Sequence, residues 1–410
     1  MKVLLSAYAC EPGKGSEPGM GWHWAVEIAR LGHEVHVLTR ANNVQACERG
    51  LADLNLPALR LSVHGYDLPR WVRWWKKGPR GMHLYYVLWQ WRAYRRARAL
   101  HRRQRFDLVH HITFAVWRHP SFMGRLGIPF VFGPIGGGEQ APWALLRTAP
   151  LRAKVKEALR WISNRLAVFD PSVRSTFRRA AIIFPKTEET RSIVPQWARA
   201  KCVAMQDVAC GPALLHAEPQ IGCTPPRFLF VGNLLHLKGI HFALVALAQV
   251  RAQLPDARLT IVGNGRDRAW LEGLARRLSL EDAVDWRGRL SHEEVLRIYA
   301  GYTAFVFPSL HDSGGTVVME SMAQGLPVVC LDLGGPGAIL PAQCGVKIPA
   351  RGRTEAQVAD DLARAMIQLA TDAEFRSNLA ANALAAARRM TWSALAAGAY
   401  AEIESRLALK

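Results

Sequence analysis

No uncharged apolar stretch approaches the about 18 residues that a bilayer-spanning helix needs, so the chain is read without a transmembrane segment. Cysteine is sparse: seven residues, an odd number, with no C-x-x-C pair. That excludes a disulfide framework and a zinc site and points to reduced thiols in the cytosol. No Asp-x-Asp motif is present to hold a phosphate-bound metal. Negative charge is short, with 33 Asp and Glu against 53 Lys and Arg and a formal charge of +20. Such an excess favours anionic partners: nucleotide phosphates, anionic lipid or nucleic acid.

What is present is a globular composition, half hydrophobic and about a fifth charged. The 410 residues exceed one ordinary core and predict two domains. MKVLLSAYACEPG has too short an apolar stretch for a leader and reads as a buried first strand. It runs into a loop with Gly13, Gly15 and Gly19, then a helix from Trp22 and a strand over Glu34–Thr39. Strand, glycine loop, helix, strand opens a parallel doubly wound sheet. The alternation resumes at Phe228 after a Pro- and Gly-rich stretch from Gly211 to Pro226. The fold class is therefore α/β, two Rossmann-like domains. Residues 1–212 form the first, 213–390 the second, and 391–410 a final helix. Ligands of such sheets sit at the carboxyl ends of the strands.

One stretch differs in composition. Residues 70–105 carry twelve Arg or Lys, no acid, and five tryptophans: Trp71, Trp74, Trp75, Trp89 and Trp91. Trp71, Trp74 and Trp75 share a helical face; Tyr85, Leu88 and Trp89 repeat the spacing beside Arg92, Arg95 and Arg96. A basic amphipathic insertion with interfacial tryptophans predicts contact with an anionic membrane surface. A helix packed into the core with its arginines in water is the plainer reading.

The strongest chemical signal is FVFPSLHDSGGTVVMESMAQGLPVVC, Phe305 to Cys330. A strand ends at Pro308, a loop presents Asp312, Ser313, Gly314 and Gly315, and a helix opens at Thr316 carrying Glu320. Free N–H groups at that helix start suit a diphosphate, and carboxylates accept from sugar or ribose hydroxyls. Taken singly, each acid reads as a loop cap or a solvated helix charge.

This constellation resembles the retaining GT-B glycosyltransferases of family 4, the bacterial polysaccharide, lipopolysaccharide and glycolipid type. The family pattern is an acid, Gly-Phe-Gly, and a Glu eight residues after the first acid; here Asp312 stands for the usual Glu, and Glu320 matches. The resemblance implies that Asp312 contacts the donor sugar and Glu320 the ribose. Gly232-Asn233 to Lys238 resembles the donor-phosphate segment, with Asn233 where the family has Arg. The missing charge is left to the Gly315 and Thr316 N–H groups, or to Arg266 or Arg289. Gly263 and Gly265 resemble the turn near the base, and Gly288-Arg289 the segment holding its edge.

In the first domain, Gly13, Gly15 and Gly19, with Gly136, Gly137 and Glu139, are the expected acceptor and cleft loops. Asp107 to His110 resembles the family's Asp-x-x-His strand end, whose second His is Ile112 here. His110, His111 or His119 is left for the place beside the anomeric carbon, each with a buried structural role as the plainer reading. The final helix carries an apolar stripe, Trp392, Ala396, Tyr400, Ile403 and Leu407, suited to crossing back onto the first domain.

The implied activity is retaining, metal-independent hexosyl transfer from a nucleotide-diphosphate sugar to a glycan or lipid-linked acceptor. It needs no cofactor beyond the co-substrate and binds no nucleic acid. The expected place is the cytoplasm, at the inner face of the membrane. Its rivals are an epimerase or hydrolase of the same fold, a nucleic-acid binder, and a non-catalytic sugar-binding protein.

Overall fold

A computed structural model describes residues 1–69, 71, 82–211 and 223–408. Two compact units emerge. The first comprises Met1–Gly138, Ile162–Asp207 and Trp392–Lys410; the second comprises Glu139–Trp161 and Val208–Thr391.

The first unit is built on six parallel strands: β1 (Lys2–Ala7), β2 (Glu34–Thr39), β3 (Leu61–Gly65), β4 (Leu108–Thr113), β5 (Phe130–Ile135) and β6 (Ile182–Pro185). Their spatial order is β3-β2-β1-β4-β5-β6. The central strands are apolar on both faces because helices cover both. Val3, Leu5 and Val37 pack on one side with Trp24 and Ile28; Leu4, Val109 and Phe132 pack on the other with Trp89 and Phe177.

The second unit repeats the plan with β7 (Arg227–Val231), β8 (Arg258–Val262), β9 (Val284–Gly288), β10 (Ala304–Phe307), β11 (Val328–Leu331) and β12 (Gly345–Ile348). Its order, β12-β11-β10-β7-β8-β9, is the same doubly wound arrangement. The order reverses between β7 and β10, as it does between β1 and β4. Loops leaving the carboxyl ends of those neighbours diverge and open a crevice there.

The units exchange segments, which a division in chain order does not anticipate. Residues 139–161 join the second unit, where Leu145, Leu146 and Ala153 enter its core. Arg152 is ion-paired there with the buried Asp267, and the Thr148 N–H donates to Glu355 Oε1 at 3.0 Å. The final helix, Trp392–Leu407, packs in the first unit, with Ala396, Ala399, Tyr400 and Ile403 buried beside β1 and β2. Burial of that stripe is what draws the helix back.

The basic tryptophan-rich stretch divides. Trp74 and Trp75 lie outside the described residues, and Trp71 is exposed. Along the helix Met82–Gln104, Tyr85 and Trp89 are fully buried. Trp89 Nε1 donates to the Tyr66 carbonyl at 2.8 Å, and Tyr85 Oη donates to Asp67 Oδ1 at 2.7 Å. These two are core residues, because their polar ends find partners that a headgroup layer would otherwise supply. Leu84, Leu88 and Trp91 form the outward apolar positions. Among the described residues no helix is long and apolar enough to cross a membrane.

Candidate active site

The crevice of the second unit begins where β7 ends at Val231 and β10 at Phe307. Gly239 has φ +72°, and a Cβ there would lie 1.8 Å from the Pro308 carbonyl oxygen. Only glycine permits both the conformation and the approach. The Leu310 N–H also donates to the Leu237 carbonyl at 2.9 Å. Backbone contact between the two loops carries Lys238, which precedes Gly239, against Asp312. Lys238 Nζ lies 2.5 Å from Asp312 Oδ2.

Asp312 is held from several sides. Its Oδ1 accepts from the Gly314 N–H at 3.1 Å, and its carbonyl accepts from the Gly335 N–H at 2.8 Å. Burial pushes its carboxyl upward, but the Lys238 charge and hydrogen bond with the Gly314 N–H outweigh this and hold it below the usual value. Gly315, at φ +85°, starts the helix Thr316–Ala323 with no capping side chain. A Cβ on Gly315 would stand 3.1 Å from the Pro336 nitrogen, so the loop lies flat against the Gly334–Pro336 turn. Thr316 is exposed. A helix start left open beside a lysine is an anion site.

Glu320 stands one turn further along that helix and is buried. Tyr299 Oη donates to its Oε2 at 3.1 Å, and His292 Nδ1 lies 3.8 Å from its Oε1. Burial raises the carboxyl to about 7, against a lowering by the Tyr299 hydrogen bond. Glu320 thus exchanges its proton near neutrality. Neither Tyr299 nor His292 carries a motif that marks it. His292 follows Ser291, the cap of helix His292–Ile298, and this capping box is the local signal.

The remaining glycines of the second unit act through the backbone. A Cβ on Gly263 would lie 1.9 Å from the Gly232 oxygen, and one on Gly265 2.3 Å from the Leu234 oxygen. The Gly263 N–H donates to the Gly288 carbonyl at 2.7 Å, and Gly232 N–H to the Val262 carbonyl at 2.9 Å. The ends of β7, β8 and β9 are therefore tied into one rim. Gly288 has φ +69° with open space beside it, and Asn233, Arg266 and Arg289 are exposed. Glu139, expected with the acceptor loops, is a buried residue of the second unit and packs near Gly334, at 3.3 Å from a Cβ built there.

In the first unit, Gly13 is exposed at φ +68°, and Gly15 begins the helix Ser16–Arg30. Gly19 is a packing residue, since a Cβ there would meet the Lys14 carbonyl oxygen at 1.8 Å. Gly136 and Gly137 brace the 115–117 segment: Gly136 N–H donates to the Ala115 carbonyl at 3.0 Å, and the Gly137 carbonyl accepts from Trp117 Nε1 at 3.0 Å.

His110 is a core residue. Its Nε2 lies 2.8 Å from the Gly133 carbonyl oxygen and its Nδ1 3.4 Å from Tyr400 Oη, and burial lowers it to about 4. His111 is also buried, between Ser6 Oγ at 3.1 Å and Tyr86 Oη at 3.0 Å. Its pKa is lowered to about 3 by burial, with the neighbouring histidines adding to the effect. Both occupy strand positions of β4, which is covered on both faces. His119 lies after the strand and is half-buried. Of the three, only His119 has an exposed surface.

A charged group that no motif marked lies at the carboxyl ends of the same sheet. Glu17 Oε2 accepts from the Phe114 N–H at 2.7 Å. Lys186, just after β6, is ion-paired with Asp207, and both are buried. Burial raises the Glu17 carboxyl, against a lowering by the Lys186 charge.

Two family models match this architecture. "Glycosyl transferase 4-like domain" covers residues 20–203, and "Glycosyl transferases group 1" covers 214–385. The chain belongs to the GT-B glycosyltransferases of family 4. It is 37% identical over 135 residues to a glycogen synthase of Mycobacterium tuberculosis, covering 33% of this chain and 32% of the relative. The match thus spans about a third of that relative's length. Among solved structures, a sucrose-phosphate synthase from Thermosynechococcus elongatus superposes with a TM-score of 0.64 at 18% identity, over 100% of both chains. HepE from Anabaena, solved in complex with UDP and glucose, gives a TM-score of 0.57 at 16% identity, over 99% of both. At such identities the likeness is one of fold, two parallel sheets of the GT-B kind.

Proposed function

We propose that this protein transfers a sugar from a nucleoside-diphosphate sugar to a glycan or lipid-linked acceptor, with retention of anomeric configuration. The observation that carries the reading is the joining of Lys238 and Asp312 at the point where the strand order of the second unit reverses. Beside them lies an uncapped helix start, and Glu320 stands one turn further on. The lysine and the N–H groups of Gly315 and Thr316 meet the diphosphate, Asp312 meets the donor sugar, and Glu320 accepts from the ribose hydroxyls. HepE from Anabaena, solved in complex with UDP and glucose, supports a donor of this class.

In transfer, charge grows on the departing phosphate, where a positive charge and fixed N–H dipoles stabilise the transition state. The acceptor hydroxyl attacks from the face the diphosphate leaves and gives its proton to the leaving phosphate oxygen. The protein supplies positive charge at the phosphate in place of a strong base. Lys238 and the helix start provide it from the chain itself, which supports a reaction without a metal. The reading places the enzyme in the cytoplasm, in biosynthesis of cell-surface polysaccharide or glycolipid, with its acceptor at the membrane face. The net charge of +20 favours anionic headgroups there.

Thermal stabilisation by UDP-, GDP- and ADP-sugars identifies the donor. Proton NMR of the product then reads the anomeric configuration, with and without EDTA. An inverted product, or loss of activity in EDTA, overturns the corresponding part of the reading.

A further inference from the structure

Glu320 has two unlike neighbours, brought to it by one helix face. His292, Val295 and Tyr299 follow at spacings of three and four along the helix His292–Ile298 and the residue after it, so the three share a face. Val295 and Tyr299 are buried, whereas the His292 side chain is 56% exposed. The Tyr299 ring stands edge-on to Phe305 of β10, with centroids 5.6 Å apart. Its hydroxyl holds Glu320 Oε2 from the core side at 3.1 Å. Oε1 is left toward the exposed His292, whose Nδ1 is 3.8 Å away.

The Tyr299 hydroxyl has a second acceptor within reach. The Val317 carbonyl, in the first turn of the helix that carries Glu320, lies 3.3 Å from Oη. A phenol has one proton to donate and lone pairs that accept. With Glu320 ionised, the proton goes to the carboxylate, because a hydrogen bond to a charged acceptor is the stronger. With Glu320 protonated, the carboxylic acid donates to Oη, and the phenol turns its own proton to the Val317 carbonyl. In both arrangements Glu320 Oε2 keeps its bond, as a buried polar atom requires. Burial raises Glu320 to about 7, so both arrangements are populated near neutrality, and the Tyr299 hydrogen bond works against that rise.

We propose that Tyr299 is a positioning residue of the nucleotide site: its hydroxyl orients Glu320 so that Oε1 accepts from the ribose diol, and it reverses its donation when Glu320 takes a proton. This rests on the reading of Glu320 as the ribose ligand. Affinities of the full chain are measured by calorimetry for UDP, GDP and ADP, and for the 2′,3′-dideoxy analogue of whichever binds tightest. Tyr299→Phe keeps the ring and removes the donor. It should lose about tenfold in affinity for the ribonucleotide and little for the dideoxy form. With the bond to the carboxylate gone, the midpoint of ribonucleotide affinity against pH should move upward. That displacement should persist in a His292→Asn background, where the other titratable group facing Glu320 is absent. In a Glu320→Gln background, Tyr299→Phe should add no further loss.

Equal losses for the ribo and dideoxy forms would show a merely structural tyrosine and overturn the proposal. Unchanged affinity, an unmoved pH midpoint, or a further loss in the Glu320→Gln background overturns it as well. A wild type that binds the ribo and dideoxy forms alike faults the reading of Glu320 as the ribose ligand, and the role of Tyr299 falls with it. A wild type that separates the two forms while Tyr299→Phe matches it faults the role of Tyr299 alone.

Discussion

Lys238 Nζ and Asp312 Oδ2 stand 2.5 Å apart although 74 positions separate them in the chain. They meet because β7 and β10 are neighbours in the sheet and because Gly239 lets its loop touch the Pro308 carbonyl. The pair presents a cation beside an uncapped helix start while its carboxylate stays ionised.

Removing the lysine affects both catalysis and folding. Lys238→Ala should lower kcat/KM by about 2–4 kcal/mol of transition-state stabilisation. The side chains are only 19% and 22% exposed, so leaving Asp312 without its cation should also cost about 1–3 kcal/mol of stability. Calorimetry with UDP and with uridine checks the assignment. Loss of affinity for uridine equal to the loss for UDP would place the lysine away from the phosphates.

Glu320 makes stability and nucleotide affinity depend on pH in opposite directions. Its folded pKa of about 7 lies above the ordinary 4.5. Between those values the native state holds a proton that the unfolded state releases, so stability falls as pH rises through this window. The difference is worth roughly 3 kcal/mol when complete. Glu320→Gln should therefore flatten Tm against pH between about 5 and 8. Ribose hydroxyls prefer the carboxylate, so wild-type nucleotide affinity should weaken as pH drops below about 7, while the Gln variant binds weakly throughout. Parallel pH profiles for the two proteins would refute the role.

Asn233 tests where the diphosphate lies. It is exposed on the rim formed by Gly232 and Gly263. Asn233→Arg should tighten nucleoside diphosphate binding by about tenfold, the effect of one added charge-assisted contact. Unchanged affinity would mean that another group fills that space or that the phosphates bind elsewhere.

Gly239→Ala should be severely destabilising. The substitution places a methyl 1.8 Å from the Pro308 oxygen at a positive φ. A loss of at least about 2 kcal/mol in urea unfolding is expected from strain and displaced backbone together. Full stability with intact UDP binding would contradict the loop contact.

Two tryptophans of the basic stretch should behave oppositely. Trp89 is fully buried and hydrogen-bonded, so Trp89→Ala should cost about 3–5 kcal/mol. Trp71 is 72% exposed, and Trp71→Ala should change stability by less than about 0.5 kcal/mol. Chemical denaturation of the two variants separates core from surface.

Much of the fold is legible in the chain because parallel strands covered on both faces leave continuous apolar runs. Phe228–Val231, Leu259–Val262 and Phe305–Phe307 are of this kind, each ending at a glycine or proline turn. The order of those turns identified Lys238, Asp312 and Glu320 as candidates, since a glycine loop opening a helix is a local pattern. The amphipathic stripe of the last helix was legible for the same reason.

Partners were not. His110 and His111 look alike in sequence to His119, and only the cover on both faces of β4 makes the first two core residues. The same spacing that suggested an outward face for Tyr85 and Trp89 suits an inward one, and Asp67 and the Tyr66 carbonyl decided it. Tyr299 and His292 reach Glu320 through tertiary packing alone. The helix Met82–Gln104 shows most plainly where the division lies. Periodicity establishes that one side is apolar, but it carries no sign for in or out. That sign is set by what the rest of the first unit packs against Tyr85 and Trp89.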